Sequence, residues 1–151
     1  MTSSTYKLTY FTVMALGEPI RWLLSYGGLQ FQDIRLCHEE WEAQKNKSPF
    51  GALPLLEIDG KVMHQSVAIC RYLGAVVGLS GKNAWENFEI DIVVDSISDL
   101  RTKIATYNKL PNSSQTRAQL RLALLNETIP FYLNRFEKMA SEGYVANGKL
   151  S

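Results

Sequence analysis

Residues 51–73 read Gly-Ala-Leu-Pro-Leu-Leu-Glu-Ile-Asp-Gly-Lys-Val-Met-His-Gln-Ser-Val-Ala-Ile-Cys-Arg-Tyr-Leu. An apolar run over 55–58 precedes Asp59-Gly60, the strongest two-residue signal for a β-hairpin, and the next apolar residues begin the return strand. Gln65-Ser66 then precedes apolar residues at helical spacing, which predicts a helix with Ser66 as its N-cap. The stretch therefore predicts a hairpin followed directly by a helix start, a place that attracts carboxylate or phosphate.

The chain before this stretch predicts a β-α-β unit. Tyr6–Phe11 alternates between two faces of a short strand. A helix begins at Glu18-Pro19 and is stopped by Gly27-Gly28, and Phe31–Leu36 forms the second strand. Combined with the hairpin and its helix, this unit predicts a four-stranded mixed sheet in the thioredoxin-like arrangement.

The chain after this stretch is predicted to be helical. Small polar residues within Leu79–Glu86 indicate a linker, and one helix is expected over Ala84–Asn108, ~37 Å long at the usual rise. Its predicted apolar stripe comprises Ile90, Val93, Val94, Ile97, Leu100 and Ile104. A second long helix is expected over Leu120–Met139, bent at Pro130. The apolar side chains expected to stay partly exposed on it are Leu122, Leu125, Ile129 and Phe136.

Composition excludes several classes of function. Sixteen basic residues against fifteen acidic ones give a net charge of +1, which argues against nucleic-acid binding by charge. Met1–Thr5 lacks a basic start and an apolar stretch, and no run approaches membrane-spanning length, so we expect a cytoplasmic protein that does not bind membranes. Cys37 and Cys70 have no metal-type spacing and are expected to be ordinary reduced thiols. Neither a metal nor a cofactor is predicted.

The order Leu-Pro, strand, Asp-Gly, strand, Gln-Ser, helix resembles the second half of the glutathione-binding domain of a cytosolic glutathione transferase. Tyr6–Phe11 together with His64-Gln65-Ser66 resembles the sigma class. The resemblance extends to about Leu150. It implies a thioredoxin-like glutathione-binding domain over residues 4–81 and a partial all-helical domain over residues 84–151, because in the family an ending like that at Gly148–Ser151 leads into further helices.

The resemblance gives Tyr10 the role of hydrogen-bonding the glutathione sulfur. One hydrogen bond to a charged group supplies about 1.5 to 3 kcal/mol, enough to account for much of the ionisation of a bound thiol. Without the family context, the interpretation of Tyr10 is an ordinary, half-buried tyrosine on a strand. Residues 14–18 contain no cysteine, which disfavours thiol-disulfide chemistry by the protein itself.

The resemblance also indicates which residues bind each end of glutathione. Gln65 and Ser66 hold the γ-glutamyl end, and a cis bond at Leu53-Pro54 turns the Leu53 backbone toward the cysteinyl part. Trp41 and Lys45, four residues apart on a short helix, clamp the glycyl carboxylate. From the residues alone, Ser66 would be only an N-cap and Lys45 only a solvated side chain. The Leu53-Pro54 bond would be an ordinary trans bond.

Asp99 matches an aspartate that reaches the glutathione amine of the neighbouring subunit, which implies a homodimer, and Asp95 is a weaker candidate of the same kind. Read alone, both belong to a polar helix face. His64 is expected to be structural, since no nucleophile or acidic partner stands at a recognisable spacing.

The predicted function is glutathione S-transfer to hydrophobic electrophiles, with a role in detoxification. The electrophile pocket is expected from Thr12–Leu16, Leu100, Ile104 and Asn108. Leu16 stands where the vertebrate prostaglandin D synthase branch has arginine, and Thr106 where it has tryptophan, so prostaglandin isomerisation is the lesser expectation. A non-catalytic binding or structural protein, like the lens crystallins of this class, or an inactive fragment remains the alternative of a different kind.

Overall fold

The computed structural model describes residues 4–151 and divides into two compact units, the first ending at Leu79 and the second beginning at Ser80. The first unit contains β1 (Tyr6–Phe11), α1 (Glu18–Tyr26), β2 (Phe31–Leu36), α2 (His38–Gln44), β3 (Leu55–Ile58), β4 (Lys61–His64) and α3 (Ser66–Val76). Short 3-10 turns precede α1 at Ala15–Gly17 and follow α2 at Lys45–Lys47. Both strands of the β-α-β unit have the bounds that the sequence predicts.

The four strands form one sheet in the order β2-β1-β3-β4. β1 runs parallel to β2 and antiparallel to β3, and β3 runs antiparallel to β4. Asp59 and Gly60 both have positive φ, 48° and 81°, as a two-residue type I′ hairpin turn requires. The predicted mixed, thioredoxin-like sheet is therefore confirmed.

One face of this sheet and two helices enclose the core of the first unit. β1 and β3 each contribute a leucine, and α1 and α3 each contribute two apolar residues from the stripe that faces the sheet. The buried cluster comprises Leu8, Ile20, Leu24, Leu56, Ile69 and Leu73. This packing fixes the strands, and with them the sheet end at which the candidate site lies.

The second unit is helical, as expected. It contains α4 (Ala84–Asn108), α5 (Gln115–Ala123), a π-helical turn (Leu124–Thr128), α6 (Ile129–Met139) and a final 3-10 turn (Ala140–Glu142). Among the described residues, no helix is both long and apolar enough to cross a membrane.

The second long helix differs from its prediction at two places. It begins at Gln115 rather than at Leu120, because the Ser114 hydroxyl accepts the Arg117 N–H and caps it. It is also interrupted by a π-helical turn, Leu124–Thr128, just before Pro130, where the sequence predicts a bend. Proline has no N–H to donate to the preceding turn, so a local change of helical hydrogen bonding is expected next to it.

The apolar stripe predicted along α4 is only partly buried. Val93 is buried, whereas Ile97 is 51% exposed. The stripe follows from spacing alone, and spacing does not say how far along a helix its neighbours extend. On the second long helix, Leu122 and Leu125 are exposed and Ile129 and Phe136 are half-buried, so the expected partial exposure of all four is confirmed.

Candidate active site

The predicted site residues of the first unit come from one end of the sheet. Because β1 and β2 are parallel and the next two strands alternate, the ends of β1, β2 and β4 meet the start of β3 there. Tyr10 is near the end of β1, and Pro54 directly precedes β3. Gln65 and Ser66 follow β4, and α2 with Trp41 follows β2. The topology therefore gathers residues that are up to 56 positions apart, Tyr10 to Ser66, at one edge.

Tyr10 has a buried ring and a hydroxyl group that is held by the loop after β1. Its exposed fraction is 5%, and its hydroxyl oxygen accepts the backbone N–H of Leu16 at 3.2 Å. A phenolic oxygen that accepts this bond still carries its own proton, which is free to be donated. The close approach of the loop requires Gly17, because a Cβ there would lie 2.5 Å from Cδ1 of the Tyr10 ring.

Trp41 is joined to Tyr10 by a series of ring contacts. The ring centroids of Tyr10 and Phe11 are 5.6 Å apart and those of Phe11 and Trp41 6.3 Å apart, both in edge-to-face geometry. Trp41 is 5% exposed, so most of its indole is packed against neighbouring residues. The rings of β1 and α2 thus form one aromatic cluster at the sheet end.

Lys45 is half-exposed and lies just past the end of α2, at the start of the 3-10 turn, rather than on the same helix as Trp41 as predicted. Its aliphatic stem lies beside Gly51, and its ammonium is 3.5 Å from the Glu42 carboxylate. Both partners of this pair are exposed, so the pair holds the lysine only weakly. The Lys45 cation thus stays available to an anionic ligand.

The loop before β3 is braced by a residue that the sequence analysis missed. Ser48 is buried, and its hydroxyl both donates to the Ala52 carbonyl at 3.1 Å and accepts the Ala52 N–H at 3.3 Å. The Leu53-Pro54 bond that follows is cis, which confirms the expectation from the resemblance. A single serine in a loop is too common a feature for sequence alone to single out Ser48.

The predicted N-cap at Ser66 is wrong by one residue. Gln65 occupies the cap position with φ of 73°, and Ser66 is the first residue of α3. The cap forms no side-chain hydrogen bond in the described structure. The first intrahelical bond runs from the Ile69 N–H to the Gln65 carbonyl, at 2.9 Å. The N–H groups of residues 66–68 therefore have no acceptor within the helix, and they suit an anionic ligand.

Asp99 and Asp95 lie on α4, in the second unit, and both are exposed. The role given to Asp99 involves the ligand of a neighbouring subunit. It stays a prediction, as does the dimer that it implies.

Arg21 is a buried charged residue that the sequence analysis did not single out. It is 5% exposed, although it shares α1 with the apolar core residues Ile20 and Leu24. Its guanidinium pairs with Glu18 at 2.9 Å and with Asp33 at 3.1 Å. The spacing of Glu18 and Arg21, three apart on one helix, was the available signal.

The histidine and the two cysteines considered in the sequence analysis have no catalytic partner among the contacts described for them. The His64 ring lies 4.7 Å from the Phe50 ring, and its Nδ1 is buried without a hydrogen-bond partner among the described residues. Both cysteines are free, and burial raises the pKa of the Cys70 thiol to about 11, so it is protonated at neutral pH. In the described part of the chain, no three potential metal ligands lie together.

A thioredoxin-like sheet with an aromatic cluster, a cation and unpaired helix N–H groups at one end defines a domain suited to an anionic ligand, and comparison with known proteins gives its family. Residues 6–75 match the family described as the N-terminal domain of glutathione S-transferase. The chain is 49% identical over 146 residues to a glutathione S-transferase of Anopheles gambiae, covering 95% of this chain and 71% of that protein. The chain belongs to the glutathione S-transferase family. The prediction that it is a member of this transferase family is therefore confirmed.

Two further relatives agree with this assignment. Glutathione S-transferase S1 of Drosophila melanogaster is 44% identical over 149 residues, which cover 97% of this chain and 59% of that protein. A solved structure of prostaglandin synthase D of Nilaparvata lugens superposes with a TM-score of 0.93 at 48% identity, covering 97% of this chain and 74% of that one. The chain thus spans about three fifths to three quarters of the length of these relatives.

Proposed function

We propose that the chain binds glutathione at the sheet end of the first unit and transfers its thiol group to hydrophobic electrophiles, with Tyr10 stabilising the thiolate. The observation that carries this proposal is the Tyr10 hydroxyl. Its oxygen already accepts the Leu16 N–H, so its single proton is left to donate to a ligand at the sheet end.

The energy that this step requires matches what one hydroxyl provides. A thiol with a pKa near 8.5 is only a few per cent ionised at neutral pH, and lowering that pKa by ~2 units requires ~2.7 kcal/mol. A hydrogen bond to a charged group contributes about 1.5 to 3 kcal/mol. The Leu16 N–H bond polarises the phenol further, because hydrogen bonds in a chain strengthen one another.

The groups around Tyr10 suit the two ends of the tripeptide. The free N–H groups at the start of α3, with Gln65 and Ser66, suit the γ-glutamyl carboxylate. The Lys45 ammonium suits the glycyl carboxylate, and the resemblance adds the indole N–H of Trp41. The Leu53 backbone suits the cysteinyl part between these two ends.

The transfer balances without a redox partner. The thiol proton passes to solvent, and the sulfur electron pair forms a bond to an electrophilic carbon. That carbon loses a leaving group with its electron pair, or a conjugated double bond accepts the pair and then a proton. Val13 and Met14, exposed on the loop after β1, suit a hydrophobic electrophile in this position.

The finer assignments belong to the same proposal and rest on the resemblance. They are the sigma class, from Tyr6–Phe11 and His64-Gln65-Ser66, and a homodimer in which Asp99 acts on the ligand of the partner. A cytoplasmic location and a role in detoxification complete them.

Prostaglandin isomerisation is the second candidate. The prostaglandin synthase D of Nilaparvata lugens is a structural neighbour of this chain, which favours it. Leu16 and Thr106 argue against it, since they replace an arginine and a tryptophan that the resemblance associates with that reaction. We therefore keep general conjugation as the main proposal and a non-catalytic binding protein as the alternative of a different kind.

The catalytic part of the proposal is tested with Tyr10→Phe. This variant should keep glutathione affinity nearly intact and raise the pH at which the bound thiolate appears. The sulfur and the Leu16 N–H both lose a hydrogen bond to the hydroxyl, whereas the groups proposed to bind the two ends of glutathione are unchanged. Thiolate absorbance is titrated on both proteins, with Tyr6→Phe, on the same strand but at its other end, as the matched control. Titration curves for Tyr10→Phe and the parent that overlay would rule out this role for Tyr10.

The binding part is tested with Ser66→Ala and Lys45→Ala. Each variant should weaken glutathione binding by a factor of about 2 to 10, the equivalent of one hydrogen bond of ~0.5–1.5 kcal/mol. Lys47→Ala, in the same 3-10 turn, is the control and should bind like the parent. Unchanged calorimetric affinity in both test variants would remove the proposed binding site.

A further inference from the structure

We propose that the buried Arg21 is a positioning residue for Tyr10, acting through the loop between β1 and α1. This inference rests on the proposed function, since it concerns how the Tyr10 hydroxyl is held for the glutathione sulfur. It follows from the contacts of the guanidinium and from the backbone of the loop.

The Arg21 guanidinium joins three parts of the first unit. Its Nε donates to both carboxylate oxygens of Asp33 on β2, at 3.2 and 3.1 Å. Its Nη1 donates to the Glu18 carboxylate, in the first turn of α1, at 2.9 Å, and to the Val13 carbonyl, in the loop, at 3.4 Å. One side chain therefore connects the neighbouring strand with both ends of the segment 13–18.

That segment carries the contact to Tyr10. Ala15 adopts φ of 31°, an unusual conformation for a residue with a side chain, and the N–H groups of Gly17 and Glu18 both donate to the Met14 carbonyl. The Leu16 N–H, between these points, donates to the Tyr10 hydroxyl. A strained turn persists only where its surroundings hold it, and Arg21 holds this one at Val13 and at Glu18.

Stability alone does not explain a charge at this position. Arg21 is 5% exposed, and its Nη2 is buried without a hydrogen-bond partner among the described residues. Replacing a buried ion pair with well-packed apolar side chains is often neutral or stabilising, and leaving a buried polar group unpaired is unfavourable. An apolar residue beside Ile20 and Leu24 would serve the core, so the arginine is better explained by the loop that it holds.

The test compares Arg21→Met with Arg35→Met. Arg35 donates to the same Asp33 carboxylate at 2.8 Å, but it is exposed, and the contacts described for it do not include the loop. Arg21→Met should move the appearance of bound thiolate to higher pH by ~0.5 unit and lower kcat at neutral pH about threefold. The KM for glutathione should change less than twofold. Arg35→Met should titrate like the parent.

The outcomes separate positioning from a merely structural role. An Arg21→Met protein that melts earlier but has the parent's thiolate titration would overturn the inference, and so would an equal shift in both variants. If Arg21→Met does not fold, Arg21→Lys replaces it, because it keeps the charge and most of the volume but has one donor nitrogen where the arginine uses both Nε and Nη1. It should shift the titration in the same direction by a smaller amount, and a curve identical to the parent's would overturn the inference.

Failure of the proposed function gives a different pattern. In that case the thiolate titration curves of Tyr10→Phe and the parent overlay, whatever the Arg21 variants show. The proposed function and the inference about Arg21 are then both wrong. If Tyr10→Phe shifts the curve and neither Arg21 variant does, only the inference is wrong.

Discussion

The two units of the chain bury their apolar residues to very different extents. Among the described residues, the first unit has a cluster of six side chains that are at most 3% exposed, drawn from two strands and two helices. In the second unit, the buried apolar residues are Val93 and Leu124. The longest helix, α4, belongs to the second unit, so helix length is not what encloses a core.

The difference comes from the geometry of packing. A sheet offers a continuous apolar face, and the two helices that pack on it, α1 and α3, enclose the leucines of its central strands β1 and β3. A helix offers only a stripe, and helix stability comes mainly from tertiary contacts to that stripe. The candidate site belongs to the unit with the enclosed core, which gives Tyr10 the rigid support that precise positioning requires.

The largest expected effect comes from truncating the two cores. Leu56→Ala, in the first unit, should lower the free energy of unfolding by ~2–5 kcal/mol, because its fully enclosed site cannot collapse around the cavity. Leu124→Ala, in the second unit, should cost clearly less, since its surroundings are more open and can relax. Urea unfolding measures both.

Leu122→Ala, at a site 62% exposed, is the control and should change the free energy of unfolding by less than ~0.5 kcal/mol. Equal losses from Leu56→Ala and Leu124→Ala would mean that the second unit is as tightly packed as the first. That result would contradict the comparison.

An intermediate effect is expected from adding a methyl group beside Tyr10. Gly17→Ala should destabilise by ~1–3 kcal/mol and disturb the Tyr10 ring, because its Cβ would overlap that ring. Gly74→Ala is the matched control: it lies in α3 with open space around the position, so it should stabilise by ~0.5–1 kcal/mol through helix propensity. Thermal unfolding of both variants checks the opposite signs, and a Gly17→Ala protein as stable as the parent would contradict the close contact.

The smallest effects on stability are expected from substitutions at the helix starts of the two units. Asn83 caps α4 by accepting the Glu86 N–H at 3.0 Å, so Asn83→Ala should lower the free energy of unfolding by ~1 kcal/mol. Gln65 makes no such bond at the start of α3, so Gln65→Ala should cost less than ~0.5 kcal/mol while weakening glutathione binding. Calorimetry and urea unfolding on the same samples separate the two effects. A Gln65→Ala protein that loses stability but not affinity would indicate that this helix start serves the fold alone.

Much of the fold follows from local sequence. The bounds of both parallel strands, the Asp59-Gly60 turn and the span Ala84–Asn108 were all predicted, because alternation, turn chemistry and helical spacing are properties of neighbouring residues. The order of motifs also placed Tyr10 and Gln65-Ser66 in one family pattern. Resemblance, rather than periodicity, supplied their proposed roles.

Tertiary structure alone decided the features that depend on distant residues. Arg21 is buried because Asp33 and the Val13 carbonyl surround it, and neither is visible from the stripe of α1. Ile97 is exposed although it continues the apolar stripe of α4, because burial depends on what packs against a helix. The Leu16 bond to Tyr10 arises from a turn whose conformation no local spacing encodes. The sequence by itself therefore determined which elements form, and the packing between them decided which side chains are buried and how the Tyr10 hydroxyl is held.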